Sequence, residues 1–146
     1  MFVLKFVDQT RVVDLNEYFL REEQPDNWTQ MLSVSLYKTT GSPGTLAKNM
    51  EQILLKNHPD APHQLIVSPD DSQAFFMCVN WATDRKTGSE FDVFRFQKNP
   101  KGVLGYQVSL RPYQAKISPE DYKALKDRWT QKIQSSEFPD VTLQMP

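Results

Sequence analysis

His58, Asp60 and His63 form the first grouping in this sequence with ligand chemistry. Two imidazoles and a carboxylate could hold zinc and leave its fourth position open. Their spacing matches no zinc motif, however, and Pro59 and Pro62 between them stop a helix from continuing. The segment reads as a helix stop, and no metal or other cofactor is expected. A second grouping, Thr39-Thr40-Gly41-Ser42-Pro43-Gly44-Thr45, precedes a helix, where free amides and the helix dipole attract phosphate. Ser42, Gly44 and Thr45 are its anion-site candidates. The run lacks the Gly-Lys-Ser/Thr ending of a P-loop, Pro43 removes one donor, and capping alone explains Ser42.

Glu22, Glu23, Asp26, Asp70, Asp71, Glu90 and Asp92 offer carboxylates of the kind paired in glycoside hydrolysis. None stands in a setting that the sequence displays as aromatic and desolvated, and Asp70-Asp71 reads as turn chemistry. No G-x-S-x-G, H-E-x-x-H, C-x-x-C or G-x-G-x-x-G occurs, and a dyad of Cys78 with a histidine would have to be created by folding. No catalytic residue is assigned. Of the three tryptophans, Trp129 follows the apolar spacing of a helix and Trp81 ends a strand face, so both read as core. Trp28 follows the polar run Glu22 to Asn27 and either anchors a strand start or stands in a surface cleft. Tryptophan is enriched at interaction hot spots, which makes Trp28 the first interaction candidate. Asn27-Trp28-Thr29 is also a glycosylation sequon, relevant only in a glycosylating export route.

The elements that must position these residues follow from periodicity. Phe2 to Val7 alternates as a strand, Asp8-Gln9-Thr10 supplies a turn, and a second extended stretch carries Val12, Val13, Leu15, Tyr18 and Leu20. Met31 to Tyr37 alternates again, with Leu32, Val34 and Leu36 expected on the core face. Ser42 and Pro43 open a helix whose Leu46, Met50, Ile53 and Leu54 recur at helical spacing, ending near Asn57. After Leu65-Ile66-Val67 and the turn at 69–72, the strand from Ala74 to Ala82 has apolar residues on both faces and is expected to be central. With Phe91 to Gln97 and Val103 to Arg111 it forms a meander, whose loops around Arg85 and Lys101 fall at opposite ends. Ser118 and Pro119 open a second helix with an apolar stripe of Tyr122, Leu125, Trp129 and Ile133. Residues 139–146 read as a loose tail or an edge strand.

The 146 residues fit a single α+β domain spanning 1–146, a broad antiparallel sheet with two packing helices in the order βββ-α-ββββ-α. Seventeen basic against eighteen acidic side chains leave no global field for nucleic acid, which is not an expected partner. The longest apolar run, Ala74 to Val79, is far short of the roughly 20 residues of a membrane helix, so no transmembrane segment is expected. The lone Cys78 reads as a small core residue and does not reveal the redox compartment.

This element order, with Asn27-Trp28-Thr29 before the third strand, resembles the MOG1/PsbP-like fold, which includes the small bacterial DcrB-type envelope proteins. The resemblance covers most of the chain. It implies an α/β/α sandwich used mostly for accessory or binding roles, often in exported proteins, and supplies no catalytic residues. The function expected is a non-catalytic protein-binding accessory domain, a component of a bacterial envelope or secretion assembly. Two alternatives stand beside it: a small-ligand carrier with a pocket between sheet and helix, and a hydrolase using His58 or His63. A periplasmic or envelope-associated placement after signal removal is favoured over a cytoplasmic one.

Overall fold

The computed structural model describes residues 1–81 and 89–113, together with seven helical positions between 120 and 132. Its strands are β1 (Phe2–Gln9), β2 (Val13–Leu20), β3 (Gln30–Tyr37), β4 (His63–Val67), β5 (Gln73–Trp81), β6 (Ser89–Asn99) and β7 (Gly102–Tyr113), with helix α1 (Pro43–Asn57) between β3 and β4. All seven strands form one antiparallel sheet in the order β1-β2-β3-β7-β6-β5-β4. Two meanders thus meet where β3 pairs with β7, and α1 carries the chain from that joint to β4 at the far edge.

Local chemistry explains most boundaries. Thr10 closes the first hairpin, its Oγ1 accepting from the amides of Val12 and Val13 at 3.2 and 2.9 Å. Ser42 caps α1 by accepting from the Thr45 amide at 3.1 Å, with Pro43 in the first turn where its missing N–H costs no intrahelical hydrogen bond. The helix ends at His58, whose amide still bonds to the Leu54 carbonyl before Pro59 and Pro62 intervene. Gly102, at φ +142°, makes the turn into β7 beneath the Tyr37 carbonyl, where any Cβ would collide with the backbone.

Cross-strand register assigns the faces, because partners in an antiparallel pair point the same way. One face presents Leu65, Val67, Ala74, Phe76, Cys78, Phe94, Phe96 and Val103. These pack beneath α1, against Ala47, Leu54, Leu46 and Met50. Phe94 stacks between Phe76 and Phe96 at centroid distances of 6.0 and 5.8 Å, and Tyr37 meets Phe96 edge-on. The opposite face is also deeply buried around Met77, Val79, Phe91 and Val93. β5 is therefore covered on both sides, as its two apolar faces require.

Two expectations need correction. On β3 the fully buried alternate set is Met31, Ser33 and Ser35, while Leu32 and Val34 are half-buried and Leu36 alone of its set is deeply buried. The alternation is real, but the sheet is two-sided, so the more apolar set does not identify the deeper face. Ser33 and Ser35 occupy the buried row because they oppose Gln107 and Gly105 of β7. Ile53 stands 62% exposed: the helix buries Ala47 and Leu54, and Ile53 lies about 100° around from Leu54. Glu120, Lys123, Ala124, Asp127, Arg128, Gln131 and Lys132 are helical and exposed. The stripe of Tyr122, Leu125, Trp129 and Ile133, the loop around Arg85 and the tail at 139–146 lie outside the described residues. Among the described residues no helix is long and apolar enough to cross a membrane.

Candidate functional site

Register lines up one row of side chains on the α1 side of the sheet: Phe19, Met31, Ser109, Asp92, Cys78 and His63, each opposite the next. At its centre Asp92 is buried. Its Oδ1 accepts from the Ser109 hydroxyl and from Gln107 Nε2 at 3.3 Å, and Gln107 Nε2 also donates to Ser109 Oγ at 2.7 Å. Burial, then the charge of Glu90 and a hydrogen bond shared with it, push the Asp92 carboxyl up to about 8 against the pull of Ser109 and Gln107. Glu17 is raised for similar reasons, burial first and Glu90 second.

Arg111 balances this negative charge. Its Nε donates to Glu90 Oε2 at 2.9 Å, and its guanidinium lies 3.8 Å from the centroid of the Trp28 ring. Trp28 is 8% exposed and packs on Phe19 and Met31, with ring centroids of Trp28 and Phe19 6.0 Å apart. Trp28 thus anchors the entry to β3, while its π face holds a cation from β7.

The second unusual feature is β1. It pairs with β2 on one side, and among the described residues no strand pairs with the other. Leu4, Phe6 and Val7 are 49, 42 and 51% exposed. The opposite edge, β4, is only five residues long and carries α1 above it.

A protein-family model matches residues 1–138, a span containing every described strand and α1. The chain belongs to that family. No curated protein and no solved structure matches it. Family membership gives common descent over the whole sheet and leaves chemistry to the residues.

The residues singled out by sequence are dispersed. Ser42, Gly44 and Thr45 do gather at the start of α1, but the protein's own carboxylate is already there. Asp71, in the turn before β5, accepts from the Gly44 amide at 2.7 Å, and hydrogen bonds from Ser42 and Gly44 hold it below the usual carboxylate range. Asp70 is pulled down to about 2 by Ser68 and Ser72, as turn chemistry would have it. His58 is the C-cap of α1 and Asp60 is exposed. His63 is tied by Nδ1 to the Ala61 carbonyl at 2.9 Å and approaches Glu51 of α1 through Nε2 at 3.4 Å. Among the described residues no three His, Cys, Asp or Glu side chains are placed to hold a metal ion.

Folding does bring Cys78 between His63 and Asp92, yet burial and the neighbouring acids push its thiol well up, away from the thiolate that nucleophilic attack needs. Sequence reasoning counted Glu90 and Asp92 among seven candidate carboxylates but did not single them out as a pair, and it missed Ser109, Gln107 and Arg111. The pair's trace was there: two acids two residues apart on one strand, with Asp92 flanked by Phe91 and Val93.

Proposed function

We propose that this chain is a non-catalytic, protein-binding accessory domain that meets its partner along β1. The observation carrying this reading is the outer side of β1, which no strand pairs among the described residues, with Leu4, Phe6 and Val7 exposed along an eight-residue strand. Natural sheets usually blunt such an edge, and one left apolar is a template for another strand. The Glu90/Asp92/Arg111 network is on this view internal, fixing Trp28 and the start of β3. The MOG1/PsbP-like relationship, the second packing helix and the placement in a bacterial envelope or secretion assembly belong to the same proposal. Deep burial of Met77, Val79, Phe91 and Val93 opposite α1 supports the two-helix sandwich.

The test is capture from extract of the native cell with wild type, Leu4→Lys and Val7→Lys, each first checked for an unchanged urea midpoint. The recovered partner is then added back during hydrogen exchange. Loss of capture by both variants and protection of β1 amides by the partner are expected; equal capture by all three overturns the reading. A small-ligand carrier is a second reading, favoured by the buried polar floor of Ser33, Ser35 and Ser109, with half-buried Gln107 beside them, between two apolar clusters. Native mass spectrometry of protein from its own cell would find a bound molecule in that case and bare chain otherwise.

A further inference from the structure

We infer that β1 pairs with β1 of a second copy of this chain, antiparallel, about a twofold axis between Lys5 and Phe6. This rests on the reading of β1 as the contact edge and names its occupant. The register with β2 shifts between Leu4 and Phe6, so Lys5 is an extra residue in β1, a bulge.

Hydrogen bonds at the two ends of the hairpin show what the extra residue does. The Met1 carbonyl accepts from the Arg21 amide, and the Thr10 amide donates to the Val13 carbonyl. Because bonding alternates along an antiparallel strand, Met1 and Val3 face β2 in the first half, and Phe6, Asp8 and Thr10 face it in the second. The amides and carbonyls of Phe2 and Leu4, and of Val7 and Gln9, therefore point outward. In a regular strand all outward positions share one parity; here the parity changes at Lys5.

A regular incoming strand can satisfy Phe2 and Leu4, or Val7 and Gln9, but not both halves. That mismatch is how a bulge ordinarily blunts an edge. A strand with the same offset at the mirrored place matches throughout, and a second copy of β1 is such a strand. Turned about the twofold, Phe2 lies opposite Gln9 of the second copy and Leu4 opposite its Val7, with outward groups facing outward groups in both halves.

The side chains agree with this register. Leu4 and Val7 share a face of the sheet, since their β2 partners Tyr18 and Asn16 do, so each exposed apolar side chain gains an apolar neighbour. Val3 opposes Asp8 of the second copy, and Lys5, the extra residue, lies opposite Phe6 beside the axis. No like charges are set opposite one another. The Lys5 ammonium, which already donates to the Arg21 and Glu23 carbonyls, retains a third donor.

Sedimentation equilibrium over a wide concentration range tests the pairing on the full chain, with Leu4→Lys, Val7→Glu and the double variant beside wild type. Each substituted pair occurs twice about the axis, so each single change is expected to weaken dimerisation about tenfold or more. The double variant sets opposite charges against each other at both places and is expected to recover most of the loss. Urea midpoints of the monomers confirm that all four fold. A dimer indifferent to both single changes, or a double variant weaker than either single one, overturns this register and the copy as occupant. A wild type that stays monomeric while a captured partner protects β1 also overturns the second copy, but leaves the edge reading standing.

Discussion

The two ends of the sheet are built on different terms. Around β4, β5 and β6 the helix lies directly on the strands, and Phe76, Phe94 and Phe96 are enclosed between α1, Tyr37 and one another. At the other end, Leu4, Phe6 and Val7 of β1 meet solvent. Both ends are rich in aromatic and branched residues, so composition does not separate them. What separates them is whether an apolar residue has a second layer above it. The covered end holds the fold together, and the uncovered end can change its sequence at little cost in stability, leaving its apolar residues available for contact.

Substitutions can break that contrast. Phe96→Ala should cost about 3–5 kcal/mol, since it removes a fully buried ring from the stack beneath α1, and urea denaturation should show a larger loss than for any other single substitution in this series. A loss below about 1 kcal/mol would mean that the helix-covered end is not the stability centre.

Between the two ends sits Asp92, and pH isolates its contribution. Its carboxyl, raised to about 8, binds a proton more tightly in the folded than in the unfolded chain. Between about pH 4 and 8 the folded state holds the extra proton, so stability should fall as pH rises through this window and level off above it. Glu17, shifted the same way, adds to the slope. Asp92→Asn keeps an acceptor for Ser109 and a donor for Glu90. It should flatten the slope and exceed wild type by at least ~1 kcal/mol at pH 9 in denaturation followed across pH; parallel pH profiles would place the titration elsewhere.

A smaller effect should follow Arg111→Lys, which keeps the charge but loses the planar fork over Trp28. A loss of about 0.5–2 kcal/mol, with a shift in tryptophan emission, is expected. Unchanged emission would show that the stack does not form in solution. Smallest of all, Phe6→Ala on β1 should alter folding stability by less than about 0.5 kcal/mol. A loss as large as that of Phe96→Ala would erase the distinction between the ends.

How much of this was legible in the sequence depends on distance along the chain. The boundaries of α1 follow from Ser42 and Pro43 at one end and the Pro59/Pro62 segment at the other, all local signals, and the strand order around it follows from alternation. The working face of β3 does not, because Ser33 and Ser35 become buried only when β7 lies beside them. The Glu90/Asp92 pair required the same neighbour: Ser109, Gln107 and Arg111 belong to β7, and Trp28 to the loop before β3. Phe2-Val3-Leu4-Lys5-Phe6-Val7 reads as an ordinary half-buried strand, and only the sheet order reveals that it stands at the end of the described strands. Pairing partners were the missing information, more than propensity.

The contact between Asp71 and Gly44 bears on the order in which the chain assembles. Ser42 caps α1 from three residues away, but the carboxylate facing the next free amide arrives from the turn between β4 and β5, 27 residues downstream. Asp71 holds a left-handed conformation there, and a side chain at position 44 would run into it and Val67. A peptide carrying α1 alone therefore lacks part of its own N-terminus, and at 15 residues it sits at the margin of independent helicity. The first turn of α1 should gain its full amide protection late, together with the β4–β5 hairpin, so that the two exchange with solvent as one cooperative unit.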